Sequence, residues 1–464
     1  MKIKKVLGEG SYGSVVVCEK NGETFALKTV KGDDYGLVSL QEIDVMNSVY
    51  NPFLVSARKT YIENNTILIF MDLASETLHR HKISGEGELR NIVFQMITSL
   101  AFLEKKNIIH GDIKGNNFLC YKNTHGLPLN VRLTDFSLAC RSYGIPPKFR
   151  MYCSVYRPIE SWFSEAECKS DVWALGCCIY ELLTGESQLF PSQDERYDET
   201  YCDTLSEIIQ SPVRQTKVHK RWRPSFDIYV SILGQFAEKT GQPISRRFQK
   251  RCQDSEARVE KFSKPLNIFV REWGRIYRAL PPYLRDMLTV DPAKRPSATQ
   301  LFHSDYFREE RRELANSLSE YYLKAGIPHS DGELVLLDGA SKHHAGRVSL
   351  DYEDIDFFMT RPKYSRITLI AAMDMFSKCK HIENKDYVKF TCLFISIKLT
   401  DPSSIDVFEQ DKMNYFRHPI NDEFYTQVIV ELETVICQTL NYVLYPEDEK
   451  IFELSDNQLI AFYV

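Results

Sequence analysis

The stretch Ile108-Ile109-His110-Gly111-Asp112-Ile113-Lys114-Gly115-Asn116-Asn117-Phe118-Leu119 sets a carboxylate, an ammonium group and a carboxamide close together between apolar flanks. Asp112 can accept a proton from a hydroxyl, Lys114 can counter charge building on an oxyanion, and Asn117 offers the hard oxygen that a small divalent cation prefers. Any one of them taken singly is as often an ordinary surface group. Their meaning depends on what else the chain carries in order.

Downstream, Leu133-Thr134-Asp135-Phe136-Ser137 supplies a second carboxylate for a metal. Upstream, Val6-Leu7-Gly8-Glu9-Gly10-Ser11-Tyr12-Gly13-Ser14-Val15-Val16-Val17-Cys18 reads as strand, glycine-rich turn, strand. Glycines let backbone amides approach phosphate oxygens with no β-carbon in the way. A dinucleotide-binding fold uses the same glycine spacing but needs a helix directly after the loop. Here β-branched Val15, Val16 and Val17 follow, then Thr24-Phe25-Ala26-Leu27-Lys28, and a strand-borne lysine fits a protein kinase. Lys28 is expected to neutralise the α- and β-phosphates of ATP, held by Glu42 in the helical stretch Val38 to Met46.

Lys28, Glu42, Asp112, Lys114, Asn117 and Asp135 thus stand in the order that phosphoryl transfer in a bilobal α+β fold requires. Asp112 is expected to orient the acceptor hydroxyl and take its proton, Lys114 to counter the γ-phosphoryl charge, and Asn117 and Asp135 to ligate Mg2+. A lysine two residues after Asp112 favours serine or threonine of a protein substrate as acceptor.

Composition sets outer bounds. The 464 residues lead us to expect two globular units, and 43% apolar with 26% charged residues is an ordinary globular balance. A net charge of -5 gives no global reason to expect nucleic-acid binding. Twelve cysteines without CxxC or metal-like spacing read as reduced thiols and suggest an intracellular protein, in cytoplasm or nucleus. No secretory or membrane-spanning segment is expected.

The first domain resembles the cyclin-dependent kinases over nearly its whole length. Gly8-Glu9-Gly10-Ser11-Tyr12-Gly13 is similar to that family's glycine loop, and Ile67-Leu68-Ile69-Phe70 to its last strand before the hinge. The resemblance implies an ATP pocket drawn from Leu7, Gly8, Gly10, Gly13, Val15, Ala26, Lys28, the gatekeeper Phe70 and the hinge residue Leu73. Ser170-Asp171-Val172-Trp173-Ala174-Leu175-Gly176-Cys177, Leu189-Phe190-Pro191 and Asp291-Pro292-Ala293-Lys294-Arg295-Pro296-Ser297-Ala298 resemble its large lobe, with Glu160 and Arg295 at the positions of its internal ion pair.

The departures from that family cluster. Three arginines that commonly clamp an activation-segment phosphothreonine are replaced by Gln41, Gly111 and Cys140, and no threonine lies between Asp135 and Glu160. A phosphate needs arginine partners to order a loop, so activity without activation-segment phosphorylation is expected. Ser137 replaces the glycine of D-F-G, and Pro158-Ile159-Glu160 replaces A-P-E. The shortened segment leaves proline-directed substrate preference open.

On this reading residues 1–307 are the kinase domain, with a small lobe to about 73 and a large lobe from 74. A basic insert at about 211–264 carries Lys217 to Arg223 and Arg246 to Arg251, more a solvated face than a docking surface. A charged helix from Arg308 leads to a linker placed between about 325 and 348, where Gly326, Pro328 and Gly332 break helices. Residues 349–464 contain no glycine and show apolar spacing of helical period, an all-α unit.

In that unit, Arg366 to Phe376, Lys389 to Leu399 and Glu431 to Tyr442 resemble the second, third and last helices of a single cyclin box. Thr400 stands where cyclins usually carry the glutamate of a kinase-contacting lysine–glutamate pair. The resemblance implies that this domain, in cis or in trans, pushes the Glu42 helix inward, and covalent linkage raises its local concentration to roughly millimolar. Two rivals stay open: a pseudokinase scaffold that only binds partners, and a kinase with an unrelated helical docking module.

Overall fold

In this computed structural model the described residues are 1–10, 13–31, 37–48, 51–63, 66–141, 156–162, 166–184, 280–337, 352–361, 363–383, 385–401, 404–408 and 422–440, with short pieces between 233 and 253 and the isolated positions 350, 410, 444, 453 and 455. They fall into two compact units that cut across the order of the sequence. One holds Met1–Ser75, Thr134–Ile145 and Ser319–Val464, the other Glu76–Leu133 and Pro146–Leu318.

The first unit begins with strands β1 (Lys2–Gly10), β2 (Gly13–Lys20) and β3 (Glu23–Lys31), followed by helix α1 (Leu37–Ser48), β4 (Lys59–Glu63) and β5 (Thr66–Met71). The strands form one antiparallel sheet in the order β1-β2-β3-β5-β4. Asn21 and Gly22 both take positive φ, 54° and 81°, which gives the β2–β3 hairpin the tight turn its twist requires. The register sets Val15 opposite Lys28 and Lys28 opposite Ile69. Cys18, Phe25 and Leu27 form the buried cluster beneath, with Val16, Leu68 and Phe70 packed on it.

The same unit contains helices Tyr352–Met359, Arg366–Cys379, Lys385–Thr400 and Asp422–Thr439. Ser365 caps the second of these by accepting from the Thr368 N–H. The Lys385–Thr400 helix is buried around most of its circumference from Val388 onward, with Lys389, Thr391, Ser396, Lys398 and Thr400 among its buried residues, and packs against Arg366–Cys379, Asp422–Thr439 and α1. Part of the expected linker also docks. Gly326, at φ 66°, ends the Arg308–Ala325 helix, but Val335 and Leu336 are buried and the Leu336 carbonyl accepts from Asn51 Nδ2 at 2.9 Å. Residues 338–349 lie outside the described residues.

The second unit contains β6 (Glu76–Thr77), α2 (Glu86–Lys105), β7 (Ile108–Ile109), β8 (Phe118–Thr124), β9 (Leu127–Leu133) and α3 (Cys168–Thr184). Strands β6, β8 and β9 form a small sheet, and α2 buries a continuous run from Ile92 to Leu103. Gly176 lets α3 approach the Pro282–Met287 helix, since a β-carbon there would lie 3.1 Å from the Met287 Cβ and 3.0 Å from a Leu288 methyl. Glu160 and Arg295 form the ion pair expected of them, at 2.6 and 3.0 Å, with Ile159 buried beside them despite the altered A-P-E. The basic stretch 217–223 and activation-segment residues 142–155 lie outside the described residues, as do Leu189 to Pro191.

Candidate active site

The first unit assembles Lys28, Glu42 and Asp135. Lys28, on β3, places Nζ 2.6 Å from Glu42 Oε1 and 3.1 Å from Asp135 Oδ1. Burial works against the charge on Lys28, but the two carboxylates outweigh it and hold the group above its ordinary range. Burial also pushes Glu42 upward, against the pull of Lys28. With nitrogen and oxygen 2.6 Å apart, we take the pair as ionic, the proton staying on the stronger base.

Asp135 adopts a left-handed backbone, φ 66°, which aspartate tolerates better than bulky residues. Ser137, the replacement for glycine, is buried and donates its Oγ–H to Asp135 Oδ1 at 2.9 Å. It is not among the positive-φ residues, so the substitution meets no backbone strain here and adds a bond to the carboxylate.

The glycine loop divides its work. A β-carbon on Gly13, at φ 145°, would lie 2.1 Å from the Thr29 carbonyl oxygen, so this glycine is required by the crossing of β2 and β3. Gly8 has nothing within 4 Å of such a β-carbon, leaving the space an approaching phosphate needs. Gly10 closes β1, while Ser11 and Tyr12 lie outside the described residues. Leu7 is exposed, Val15 half-buried and Ala26 buried. Phe70 is braced by Phe25 and, edge-on, by Tyr61; Leu73 is half-buried.

The second unit holds the loop from His110 to Asn117. Lys114 Nζ reaches Asp112 Oδ2 at 2.7 Å, and Asn117 Nδ2 donates to the Asp112 carbonyl at 2.8 Å and to its Oδ2 at 3.0 Å. With its nitrogen so committed, the Asn117 amide has its oxygen to offer a cation. Among the described residues no group of three or more His, Cys, Asp or Glu forms a protein-only metal cage. Magnesium carried on nucleotide phosphates needs no such cage, and a carboxylate with an amide oxygen fits its preference for hard ligands.

What holds this loop was not legible in its motif. Asp171, on α3 and 3% exposed, accepts from the His110 N–H at 2.7 Å and the Gly111 N–H at 3.1 Å. Gly111 takes φ 74°, so the residue at the place of a clamp arginine serves a backbone turn. The signal was present as Ser170-Asp171-Val172-Trp173, without the partners it would find.

Among the helices of the first unit, Thr400 is hydrogen-bonded to the hydroxyl of Thr368 at 2.7 Å. Sequence placed a gap in a lysine–glutamate pair at that position. A buried pair is nonetheless present, from Lys398 to Glu433 at 2.7 and 3.0 Å. It joins two helices, and no local spacing announces it.

Residues 1–307 match the protein kinase domain model, and the chain belongs to that family. Among its relatives, the rat serine/threonine-protein kinase ICK is 28% identical over 318 residues, covering 66% of this chain and 44% of that protein. The mouse serine/threonine-protein kinase MAK is also 28% identical over 318 residues, covering 66% of this chain and 45% of its own. Cyclin-dependent kinase F-4 of Oryza sativa subsp. japonica is 26% identical over 321 residues, 66% of this chain and 61% of the rice protein. The chain therefore spans less than two thirds of these relatives.

Proposed function

We propose that this chain is a cyclin-dependent-kinase-like serine/threonine protein kinase whose C-terminal helical region acts as a cyclin-like activator in cis, with no activation-segment phosphate required. The observation that carries this reading is the closed pair between Lys28 on β3 and Glu42 on α1, the helix that packs beside the Lys385–Thr400 helix of the same chain. A helix that must sit inward for its glutamate to meet the lysine has a covalently attached neighbour to hold it there. The helical spans at 366–379, 385–400 and 422–439 overlap the three stretches that resemble a cyclin box, and the Lys398–Glu433 pair lies on two of them.

In the proposed reaction the hydroxyl of a protein serine or threonine attacks the γ-phosphorus of ATP. Its proton passes to Asp112, the bond to the bridging oxygen breaks, and ADP leaves. Lys114, 2.7 Å from Asp112, steadies the carboxylate in its bridging position and meets the charge on the transferred group. Lys28, oriented by Glu42, meets the α- and β-phosphates. Magnesium, when bound, would be held by Asp135 and Asn117 and would neutralise charge on the β- and γ-phosphates.

Phosphate independence is supported by the residues at the clamp positions. Gly111 is committed to a left-handed turn, and Gln41 and Cys140 carry no charge.

Phosphorylation of a generic basic protein by the purified full chain tests the enzyme reading. Asp112→Asn is expected to remove at least about 100-fold of turnover, and an unaffected rate would leave the scaffold reading standing. Truncation after Lys324 tests the activator, with a melting scan alongside. Undiminished turnover in the fragment rules out activation in cis. Loss of activity of the full chain on phosphatase treatment rules out phosphate independence.

A further inference from the structure

Asp44 lies two residues beyond Glu42 on α1 and is 3% exposed. Its Oδ2 accepts from Arg141 Nη2 at 3.0 Å and its Oδ1 from the backbone N–H of Leu444 at 2.9 Å. One buried carboxylate thus joins three segments: the helix that carries Glu42, the chain six residues beyond Asp135, and the far end of the C-terminal helical region. Arg141, 9% exposed, and Leu444, 1% exposed, are themselves largely withdrawn from water.

The placement on the helix matters. Residues two apart point about 200° from each other around an α-helix, so Glu42 and Asp44 face nearly opposite sides. Glu42 meets Lys28 on one side, and Asp44 is bonded on the other. Rotating α1 enough to withdraw Glu42 would pull Asp44 off the Arg141 guanidinium and the Leu444 N–H. A buried carboxylate torn from a guanidinium and an amide has no solvent to replace them, which makes that rotation costly.

We propose that Asp44 is a positioning residue that fixes the rotational setting of α1, and that its pair with Arg141 is a permanent, built-in counterpart of the phosphate-and-arginine clamp that this chain lacks. The arginine follows directly on Cys140, the residue at a clamp position, and meets a fixed carboxylate on α1. The Leu444 N–H extends the same lock to the helical region. The proposal rests on the kinase reading above, and its link through Leu444 rests on activation in cis.

The test is a cycle of Asp44→Asn, Arg141→Met and the double variant in the full-length chain, assayed for kcat and for the ATP KM on a basic protein. Each single variant is expected to lower kcat about tenfold or more, since charge-assisted coupling of this kind spans roughly 2- to 150-fold. The KM for ATP should move less than about twofold, because the setting of the helix changes the active fraction of molecules. The double variant should be no worse than either single one, and Arg141→Lys should recover most of the loss. Losses that multiply in the double variant, or unchanged kcat in both singles, overturn the proposal.

If Asp44→Asn does not fold, amide hydrogen exchange of residues 37–48 in Arg141→Met decides. Faster exchange there supports the lock, and unchanged protection overturns it. Failure of cis activation is separable. Truncation would then leave turnover intact while the Asp44–Arg141 coupling persists, both residues lying outside the removed region. Failure of the lock removes the coupling whatever truncation does.

Discussion

The loop around Asp112 and the trio around Lys28 are held by different means. The Asp112 loop is fixed through its backbone: Asp171 takes the N–H groups of His110 and Gly111, and Asn117 binds the Asp112 carbonyl. The Lys28 trio is held through side chains, with Glu42 and Asp44 both on a twelve-residue helix that the sheet alone does not fix. One carboxylate holds two backbone groups of the Asp112 loop, whereas the setting of α1 depends on separate side-chain pairs on its two sides. Removal of a single pair therefore acts on the setting of α1 and leaves the hold on the Asp112 loop in place.

Breaking the fixed side should give the largest effect. Asp171→Ala strips two buried N–H groups of a charged acceptor, and each such bond contributes about 1.5–3 kcal/mol. Stability is expected to fall by about 3–5 kcal/mol, measured by denaturant unfolding, with turnover lost by at least about 100-fold. Asp171→Asn keeps one acceptor oxygen and should land between the two. An Asp171→Ala protein of normal stability would contradict the assignment of this carboxylate as the loop's anchor.

Glu42→Gln acts on the side held through side chains and should separate stability from activity. The Lys28 ammonium then donates to a neutral amide oxygen and keeps the Asp135 carboxylate as its counter-ion, so unfolding should change by about 1–3 kcal/mol. Turnover should fall about 10- to 100-fold, the loss of one charge-assisted bond. The alkaline limb of the rate should move as well. Lys28 is held above its ordinary range in the folded protein, so the stability from its charge is present below that range and lost as pH rises through the raised value. Removing the Glu42 charge lowers that value, and the limb should shift to lower pH. A limb that stays in place would show that Asp135 alone holds the Lys28 charge.

The same contrast explains how much the sequence told. Lys28 and Glu42 were legible because a strand-borne lysine and a following helix each announce themselves by local pattern, and the ladder of β3 and β5 then fixes the lysine. The helices at 366–379 and 385–400 were legible from their period. Asp44 was not, because its partners stand 97 and 400 residues away and no period connects an aspartate with a distant amide. The partners of Asp171 escaped for the same reason, and Gly111, which stands at the place of a clamp arginine, also takes a left-handed φ that no local pattern announced. Charged groups that bond across long sequence separations leave no local signature, and these are the groups that hold the Lys28 trio in one unit and the Asp112 loop in the other.

The smallest effect concerns a pH-sensitive support on the fixed side. His81 lies between two carboxylates, Nδ1 3.0 Å from Glu76 and Nε2 3.2 Å from Glu88. It follows the turn Leu78–Arg80, which packs beside the turn Gly115–Asn117. Burial disfavours its charge, but the bonds to Glu76 and Glu88 outweigh this and raise its pKa. A raised folded value means that the stabilisation is fully present below about 6.5, the ordinary histidine value, and is lost as pH rises through the folded one. Both carboxylates keep partial contact with water, so the gain is screened and small. His81→Gln should therefore melt about 1–2 °C below the parent at pH 6, and the gap should close by pH 8. A gap of equal size at both pH values would mean that His81 contributes by packing and neutral hydrogen bonds, and that the fixed side of the site carries no titrating support at this position.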